Sequence, residues 1–308
     1  MNKKIFLTGS TGFLGSHIAR KFINNGNILL LSYRDKSNFS LCADYKEKVK
    51  WVNTSSKEWI YKVECFNPEI LINAAWQGVG VESRNNWFEQ IENIFFQQEL
   101  LDLSKRINIQ QFVGFGSQAE YGYLNNPAKE TDPTNTTSAY GAAKLAALQI
   151  TKSFCEIHSI NWIWLRLFSF FGEGESDKWL IPFVIKKIIN ELPLELTSGE
   201  QQVAYLHVNY LTEIISKIIT KAGMSSGVYN ISGNELFSVK DLVTKIRDMV
   251  NPEYTLTFGG IPCRKNQSPL IIGDMSKLKA EIEIPDFNDF EERLKNVILY
   301  YINQSESL

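Results

Sequence analysis

The stretch Lys4-Ile-Phe-Leu-Thr-Gly-Ser-Thr-Gly-Phe-Leu-Gly15 decides the fold class of this chain. Its apolar start predicts a short buried strand, and an amphipathic helical pattern follows as far as Gly26. Gly9, Gly12 and Gly15 let the backbone turn sharply and approach a pyrophosphate at the start of that helix, where free N–H groups favour anions. Because the glycine-rich turn stands between a strand and a helix, it predicts a Rossmann-type α/β fold that binds a dinucleotide.

A second informative stretch is Ser138-Ala-Tyr-Gly-Ala-Ala-Lys144, which opens an alanine-rich helical pattern. Tyr140 and Lys144 stand four residues apart, so on a helix their side chains lie on one face. An ammonium that close to a phenol favours the ionised form, so we expect Tyr140 to exchange a proton with a substrate hydroxyl near neutral pH. An isolated pair of this kind is more often a solvated lysine beside a half-buried tyrosine, so the prediction depends on its context.

Ser117 supplies that context together with the glycine-rich turn. It follows the apolar run Phe112-Val-Gly-Phe115, which predicts a buried strand. The Ser117 hydroxyl should therefore emerge at the C-terminal end of a strand, where open parallel sheets bind their ligands.

The order of glycine-rich turn, Ser117 and Tyr140-x-x-x-Lys144 resembles the extended short-chain dehydrogenase/reductase family, specifically its nucleotide-sugar epimerases, dehydratases and reductases. The resemblance covers nearly the whole chain. It implies a doubly wound parallel sheet with a smaller α/β C-terminal substrate lobe. The implied NAD(P)-binding domain comprises residues 1–165 and roughly 203–232, and the nucleotide-sugar-binding lobe comprises roughly 166–202 and 233–308.

Hydrophobic patterns place the remaining elements along the chain. Further strands are predicted at Ile28–Ser32, Trp51–Val52, Ile70–Trp76, Trp162–Phe168 and Gly227–Ile231. Helices are predicted at Asn85–Lys105, Leu180–Lys186, Phe237–Met249, Asp274–Lys277 and Phe290–Tyr301.

The composition is that of an ordinary globular protein. With 308 residues, 44% of them hydrophobic and 21% charged, the chain can form one large α/β domain and an appended lobe. A formal charge of −2 offers no basic surface for nucleic acid or an anionic membrane. No apolar run approaches the length of a membrane span, and Met1–Lys4 lead straight into the first strand, so we expect a cytoplasmic protein.

Cysteine and histidine usage predicts neither disulfides nor a metal site. Cys42, Cys65, Cys155 and Cys263 are scattered without Cys-x-x-Cys spacing, which favours reduced thiols. The three histidines do not cluster, so we expect no metal.

The resemblance implies a set of cofactor-binding residues: Gly9, Thr11, Gly12, Phe13, Leu14, Gly15, Ala74, Ala75, Tyr140 and Lys144. In relatives that prefer NAD, an acid at the end of the second strand binds the adenosine ribose. Here that position falls on Ser32 or Tyr33, and Arg34 follows. Because a guanidinium can pair bidentately with a 2′-phosphate, Arg34 predicts NADP, whereas NAD stays open if Asp35 holds the ribose.

The predicted helix Asn85–Lys105 carries a stripe of apolar residues at helical spacing. Its members are Trp87, Ile91, Ile94, Phe95, Leu100 and Leu101. In family members the helices at this place pair two subunits, which implies a homodimer. Such a stripe is more often part of the core of one subunit than of an interface, and it can serve as both.

The resemblance assigns catalysis to Ser117, Tyr140 and Lys144. Sugar 4,6-dehydratases have Asp-Glu directly after the hydroxyl residue, where this chain has Gln118 and Ala119. Glu120 comes one position late, and we expect it to face elsewhere. The chain also lacks at these positions the cysteine of epimerase-reductases of the GDP-fucose-synthase type. The remaining groups suffice for redox chemistry at one carbon.

Substrate contacts are implied for Trp76, Gln118 and Pro182. The segment 199–210 resembles a family motif with an arginine and two aspartates, but Val203, Asn209 and Tyr210 replace them. The usual diphosphate contact is therefore missing, and Arg264 is expected either to reach the substrate phosphates or to be a solvated loop charge.

These inferences predict an NADP-dependent reductase of a nucleotide-diphosphate 4-keto(-6-deoxy) sugar in polysaccharide biosynthesis. The hydride passes to sugar C4, Tyr140 protonates the oxygen, Ser117 orients that oxygen and Lys144 holds the ribose. An NAD-dependent C4 epimerase is the alternative, because it uses the same residues. A non-catalytic dinucleotide-binding sensor is a third possibility.

Overall fold

The computed structural model describes residues 2–263 and 267–306, so Arg264 lies outside the described residues. Within those ranges the chain forms fourteen strands and nine α-helices. The strands are β1 (Lys4–Thr8), β2 (Ile28–Tyr33), β3 (Lys50–Asn53), β4 (Ile70–Asn73), β5 (Gln111–Ser117), β6 (Asn161–Leu167), β7 (Phe170–Phe171), β8 (Glu195–Leu196), β9 (Gln202–Ala204), β10 (Leu206–His207), β11 (Gly227–Ile231), β12 (Leu236–Ser238), β13 (Thr257–Phe258) and β14 (Leu270–Ile271). The helices are α1 (Phe13–Asn24), α2 (Trp59–Phe66), α3 (Trp87–Arg106), α4 (Ala139–Ile157), α5 (Leu180–Ile189), α6 (Val208–Thr220), α7 (Val239–Val250), α8 (Ser276–Glu281) and α9 (Phe290–Glu306).

Seven parallel strands form the central sheet in the order β11-β6-β5-β4-β1-β2-β3. Ile5 of β1 pairs with Leu29 of β2 on one side and with Ile70 of β4 on the other. The strand order reverses beside β1, and a crevice for ligands forms outside the carboxyl ends of the strands at such a reversal. The prediction of a Rossmann-type doubly wound sheet is confirmed.

Helices cover both faces of this sheet, which explains why its strands are nearly continuous apolar runs. Ile5 and Leu7 pack toward α1 and α6, whereas Phe6 packs toward α2, α3 and α4. All three side chains are fully buried, and each contributes roughly 1.5–3 kcal/mol relative to an exposed position. The alternation of side chains along β1 thus fixes the layers above and below it.

The last strand of the sheet comes from far along the chain. Gly227–Ile231 pairs in parallel with Ile163–Leu167, which confirms the predicted return of this segment to the main sheet. Helices α5, α7 and α9 form a separate apolar cluster with the short strands β8 and β9. The domain boundaries given above stay a prediction.

Some element ends differ from the predicted ones for local reasons. β4 ends at Asn73, three residues early, because the Asn73 side chain accepts hydrogen bonds from the Thr8 hydroxyl and the Ala75 N–H. Phe237 lies in β12 rather than in a helix, and α7 begins after Ser238, whose hydroxyl accepts from the Asp241 N–H. Along the described residues, no helix has the length and apolar character that crossing a bilayer requires.

Candidate active site

The glycine-rich turn joins β1 to α1 at the reversal of the strand order. Gly9 adopts a left-handed conformation with φ of 67°, and a Cβ there would lie 2.6 Å from the backbone of Ala74 at the end of β4. A Cβ on Gly15 would overlap the carbonyl group of Gly9. Only glycines therefore allow this turn to close so tightly against the neighbouring strand.

Helix α1 begins at this turn with unsatisfied donors. Its N-cap is Gly12, which offers no side-chain cap, and its first turn contains no acidic residue. The free N–H groups and the positive end of the helix dipole favour an anion there. These residues fit the pyrophosphate of a dinucleotide, as the sequence predicts.

Ser117, Tyr140 and Lys144 line one cavity of about 430 Å³ together with the glycine-rich turn. All three residues are buried, and the Ser117 side chain is near enough to Tyr140 to lower the pKa of the phenol. Ser117 ends β5, and the Ser138 hydroxyl caps α4 by accepting from the Gly141 N–H, which sets the start of the helix that carries Tyr140. The structure thus brings the predicted catalytic set together.

Lys144 is directed at Trp76 rather than at the phenol. Its Nζ donates to the carbonyl oxygen of Phe115 at 2.7 Å and lies 3.6 Å from the centroid of the Trp76 ring, but 5.8 Å from that of Tyr140. Burial raises the pKa of Tyr140, while the Ser117 hydroxyl and the nearby Arg84 charge lower it. Burial lowers the pKa of Lys144 to about 7, and the Glu120 charge raises it. The expectation that Lys144 holds down the pKa of Tyr140 is wrong for this arrangement.

Glu120 faces away from the cavity, as expected from the sequence. Its side chain lies fully buried beneath Ser117. Its Oε1 accepts from the Ser117 N–H at 2.9 Å and from Trp164 Nε1 at 3.0 Å. Its Oε2 accepts from Arg166 Nε at 2.7 Å. The Arg166 guanidinium also lies 4.4 Å from the centroid of the Tyr121 ring. The carboxylate therefore ties the C-terminal end of β5 to the neighbouring strand β6.

Trp164 lies flat across β5 because two glycines leave room for it. A Cβ on Gly114 would lie 2.5 Å from the Trp164 ring, and one on Gly116 would overlap both Trp164 and Glu120. Trp164 is itself fully buried. The two glycines in the Phe112–Ser117 segment thus leave the space that the Trp164 ring occupies. Sequence patterns alone do not indicate this packing role.

Most predicted cofactor residues lie on the cavity wall: Gly9, Gly12, Phe13, Leu14, Gly15, Ala74, Tyr140 and Lys144. Thr11, Arg34 and Ala75 do not line it. Ala75 instead donates its N–H to Thr8 and Asn73, which holds the end of β4 against β1.

The end of β2 has no free acid at the expected ribose position. Ser32 is buried, and its hydroxyl accepts from the Gly9 N–H. Arg34 is exposed, its backbone N–H donates to the Ser37 hydroxyl, and its carbonyl oxygen accepts from the Ser37 N–H. Asp35 accepts from Asn53 Nδ2 at 2.6 Å, so one of its oxygens is already engaged.

Two of the predicted substrate residues, Trp76 and Gln118, line the cavity. Pro182 is buried inside α5 and does not, while its neighbours Leu180 and Ile181 do. The wall also includes residues that the sequence did not predict as site residues, among them Arg84, Glu175, Trp179 and Tyr205. These four come from loops between elements, and no local pattern marks them.

Arg84 contacts Tyr140 through both its side chain and its backbone. Its guanidinium lies 4.8 Å from the centroid of the Tyr140 ring, and its carbonyl oxygen accepts from the Tyr140 N–H at 2.8 Å.

All four cysteines are free thiols. Among residues 2–263 and 267–306, no group of three or more His, Cys, Asp or Glu side chains could hold a metal ion.

The sheet, the anion-binding turn and the Ser117–Tyr140–Lys144 set define an NAD(P)-dependent oxidoreductase of the Rossmann class. Comparison with known sequences shows to which family of such oxidoreductases the chain belongs. The model of the NAD-dependent epimerase/dehydratase family matches residues 5–232, and the chain belongs to that family. The resemblance predicted from the motifs is therefore confirmed, and the chain is an enzyme that acts on nucleotide sugars.

Two relatives and one solved structure align with this chain over most of their lengths. Protein CapI of Staphylococcus aureus is 26% identical, covering 91% of this chain and 90% of that protein. CDP-abequose synthase of Salmonella muenchen is 23% identical over 87% of each chain. The structure of a UDP-N-acetylglucosamine 4-epimerase from Methanobrevibacter ruminantium, in complex with UDP-N-acetylmuramic acid, superposes with a TM-score of 0.89 at 22% identity, covering 98% of this chain and 99% of that one. This last likeness shows the fold.

Proposed function

We propose that this enzyme is an NADP-dependent reductase of a nucleotide-diphosphate 4-keto sugar. The position of Glu120 carries the proposal. Elimination of water from the sugar would need an acid and base facing the substrate beside Ser117, but Gln118 faces the cavity and Glu120 is buried in an ion pair with Arg166. The residues that do face the cavity there support hydride and proton transfer at one carbon.

A reduced nicotinamide dinucleotide bound at the glycine-rich turn would supply the hydride. The chain's own task is to place the ketone and deliver one proton to its oxygen. As the C=O π bond breaks, a C–H bond and an O–H bond form at the sugar, and the proton comes from Tyr140, which then regains one from solvent. Ser117 donates to the same oxygen and stabilises the developing charge.

The protonation state of Tyr140 supports the reductive direction. Burial raises the pKa of this phenol, so it keeps its proton at neutral pH and is ready to act as an acid. The first step of an epimerase needs the opposite state, because the sugar hydroxyl must lose a proton to a base.

The end of β2 supports NADP over NAD. Arg34 is exposed beside the buried Ser32, whereas the Asp35 carboxylate is engaged by Asn53. A guanidinium there would pair with the 2′-phosphate, and hydrogen bonds to charged groups contribute roughly 1.5–3 kcal/mol. The name of the relative CDP-abequose synthase further supports a sugar linked to a nucleoside diphosphate as the substrate class.

The cofactor test uses Arg34→Ala and the matched variant Lys36→Ala, which removes a neighbouring exposed charge. The unmodified protein should bind NADPH roughly tenfold to a hundredfold more tightly than NADH in fluorescence titrations. Arg34→Ala should erase most of that preference, and Lys36→Ala should keep it. A preference of the unmodified protein for NADH would refute the NADP assignment.

The reaction test begins with mass spectrometry of nucleotides released from freshly purified protein. A reductase should consume NADPH stoichiometrically with a 4-keto sugar nucleotide. Tightly held NAD, with interconversion of two sugar nucleotides and no net cofactor consumption, would establish the C4 epimerase instead. Dinucleotide binding without turnover of any sugar nucleotide would establish the sensor.

We also propose that α3 mediates a homodimer. The two halves of the predicted apolar stripe differ in exposure. Leu100 and Leu101 in the second half of α3 are fully buried, whereas the first half exposes large apolar side chains. Those exposed side chains are Trp87, Phe88, Ile91 and Phe95. They lie on one face of α3, and an exposed apolar patch of this kind is typical of a protein interface.

A further inference from the structure

Glu175 is an acidic residue on the cavity wall for which the catalytic set has no use. It lies between β7 and α5 and is 9% exposed. Its backbone is held firmly, because its carbonyl oxygen accepts from the Tyr301 hydroxyl of α9 at 2.7 Å. Its Oε2, however, is buried and has no hydrogen-bond partner among the described residues. A buried polar atom left unpaired costs free energy, so a ligand that reaches Glu175 from the cavity would gain a hydrogen bond there.

The surroundings of Glu175 keep its carboxyl group neutral. Its neighbours on the wall include Trp179, Leu180 and Tyr205, which offer little solvation. Glu175 interacts electrostatically with Tyr205 and Tyr301, and Tyr301 in turn interacts with Tyr300, Glu173 and Asp177. Lys186 Nζ lies 5.6 Å from the centroid of the Tyr301 ring. Within the described part of the chain, no salt bridge to Glu175 is formed. Burial raises the pKa of Glu175 to about 8.

A neutral carboxyl group selects its ligand by hydrogen bonding. It donates one hydrogen bond through O–H and accepts through its carbonyl oxygen, which matches a hydroxyl group that does both. A diphosphate would fit poorly beside Glu175, since among the described residues no cation forms a salt bridge with this carboxyl group, and its ionisation would add repulsion. The sugar moiety is therefore the part of a nucleotide sugar that this wall can recognise.

Building on the function proposed above, we propose that Glu175 binds a ring hydroxyl of the sugar and thereby contributes to substrate specificity. Glu175 acts here as a neutral hydrogen-bond donor and acceptor and takes no part in hydride or proton transfer.

The test is isothermal titration calorimetry with UDP-glucose, dTDP-glucose and CDP-glucose, each paired with its free nucleoside diphosphate. Glu175→Leu removes the hydrogen bonds, and Glu175→Gln keeps one donor and one acceptor in nearly the same shape. Glu175→Leu should weaken, by roughly tenfold, the affinity for the sugar nucleotide that the unmodified protein binds most tightly. The affinity for the free nucleoside diphosphate should not change. Glu175→Gln should stay within about threefold of the unmodified protein. NADPH titration of both variants checks that they are folded.

The pH dependence separates a neutral acid from a carboxylate. Below the pKa of about 8 the group carries its proton, so the affinity of the unmodified protein for the sugar nucleotide should fall as pH rises through that value. Glu175→Gln should lack this fall. Lys144 also lines the cavity with a pKa of about 7, and its effect is common to both proteins, so the ratio of their affinities isolates Glu175.

The outcomes distinguish this proposal from the proposed function. Sugar-nucleotide binding that Glu175→Leu leaves unchanged, or weakens equally with the free diphosphate, overturns the assignment of Glu175 alone. An affinity that rises above pH 8 in the unmodified protein also overturns it, because the ionised carboxylate would then be the form that binds the sugar nucleotide. Failure of the unmodified protein to bind any sugar nucleotide overturns both proposals.

Discussion

Glu120→Gln tests whether the buried carboxylate beneath Ser117 holds the catalytic end of β5. The carboxylate accepts three hydrogen bonds, from the Ser117 N–H, the Trp164 indole and the Arg166 guanidinium. The oxygen of a glutamine side chain can still accept from Ser117 and Trp164. The NH₂ group of the glutamine then points at Arg166 Nε, and because both groups are donors they cannot form a hydrogen bond. The substitution therefore removes the ion pair while keeping the size of the side chain.

The expected cost follows from the burial of the pair. The side chains of Arg166 and Glu120 are 4% and 0% exposed, so the guanidinium would stay buried without its counter-charge. Breaking a buried ion pair from one side typically costs 3–5 kcal/mol. Since Arg166 keeps its contact with the Tyr121 ring, we expect a loss of about 3 kcal/mol in the free energy of unfolding.

Urea denaturation of the apoprotein measures this loss, with Glu64→Gln as the matched control. Glu64 pairs with Arg106 on the surface, and such exposed pairs contribute about 0–1 kcal/mol. The double variant Glu120→Gln/Arg166→Met, which also removes the unpaired charge, should recover part of the stability. If Glu120→Gln costs no more than Glu64→Gln, the reasoning about this buried pair is refuted.

Three further changes probe other parts of the structure. Tyr140→Phe should lower kcat by roughly 10²–10⁴-fold with unchanged NADPH binding, measured by steady-state kinetics and fluorescence titration; a loss of only a few-fold would exclude this phenol as the acid. Gly15→Ala should weaken NADPH binding by at least about tenfold and lower Tm, because its methyl group would overlap the Gly9 carbonyl, whereas Gly80→Ala, which meets no atom within 4 Å, should do neither. Phe95→Glu on α3 should convert a dimer to a monomer in light scattering, and Tyr61→Glu, which replaces an equally exposed ring on α2, should not; a dimer that survives Phe95→Glu would contradict the proposed interface.

The elements that could be predicted from the sequence are those whose signals are local. The strand, glycine-rich turn and helix at Lys4–Asn24 follow from apolar periodicity and the steric freedom of glycine, and the structure confirms them. The proximity of Tyr140 and Lys144 follows from helical spacing, but the direction of the lysine does not. It depends on the Phe115 carbonyl and the Trp76 ring, which are distant in sequence.

Residues on irregular segments were the ones that could not be predicted. Glu120 turns under Ser117 because Gln118–Glu120 form a single 3₁₀ turn, in which both Ser117 and Glu120 bond to each other's backbone. Arg84 and Glu175 reach the cavity from loops whose paths are set by tertiary packing. Their partners, Tyr140 and Tyr301, are more than fifty and more than one hundred positions away along the chain.

The indole of Trp164 resting on Gly114 and Gly116 restricts how this enzyme can evolve. An alanine at either glycine meets the ring, and a smaller residue at 164 leaves a void beneath the catalytic strand and removes a donor from Glu120. Each single substitution therefore passes through a less stable intermediate, although a combined exchange of ring and glycine could be tolerated. We therefore expect positions 114, 116 and 164 to change together, or not at all, during the evolution of the family.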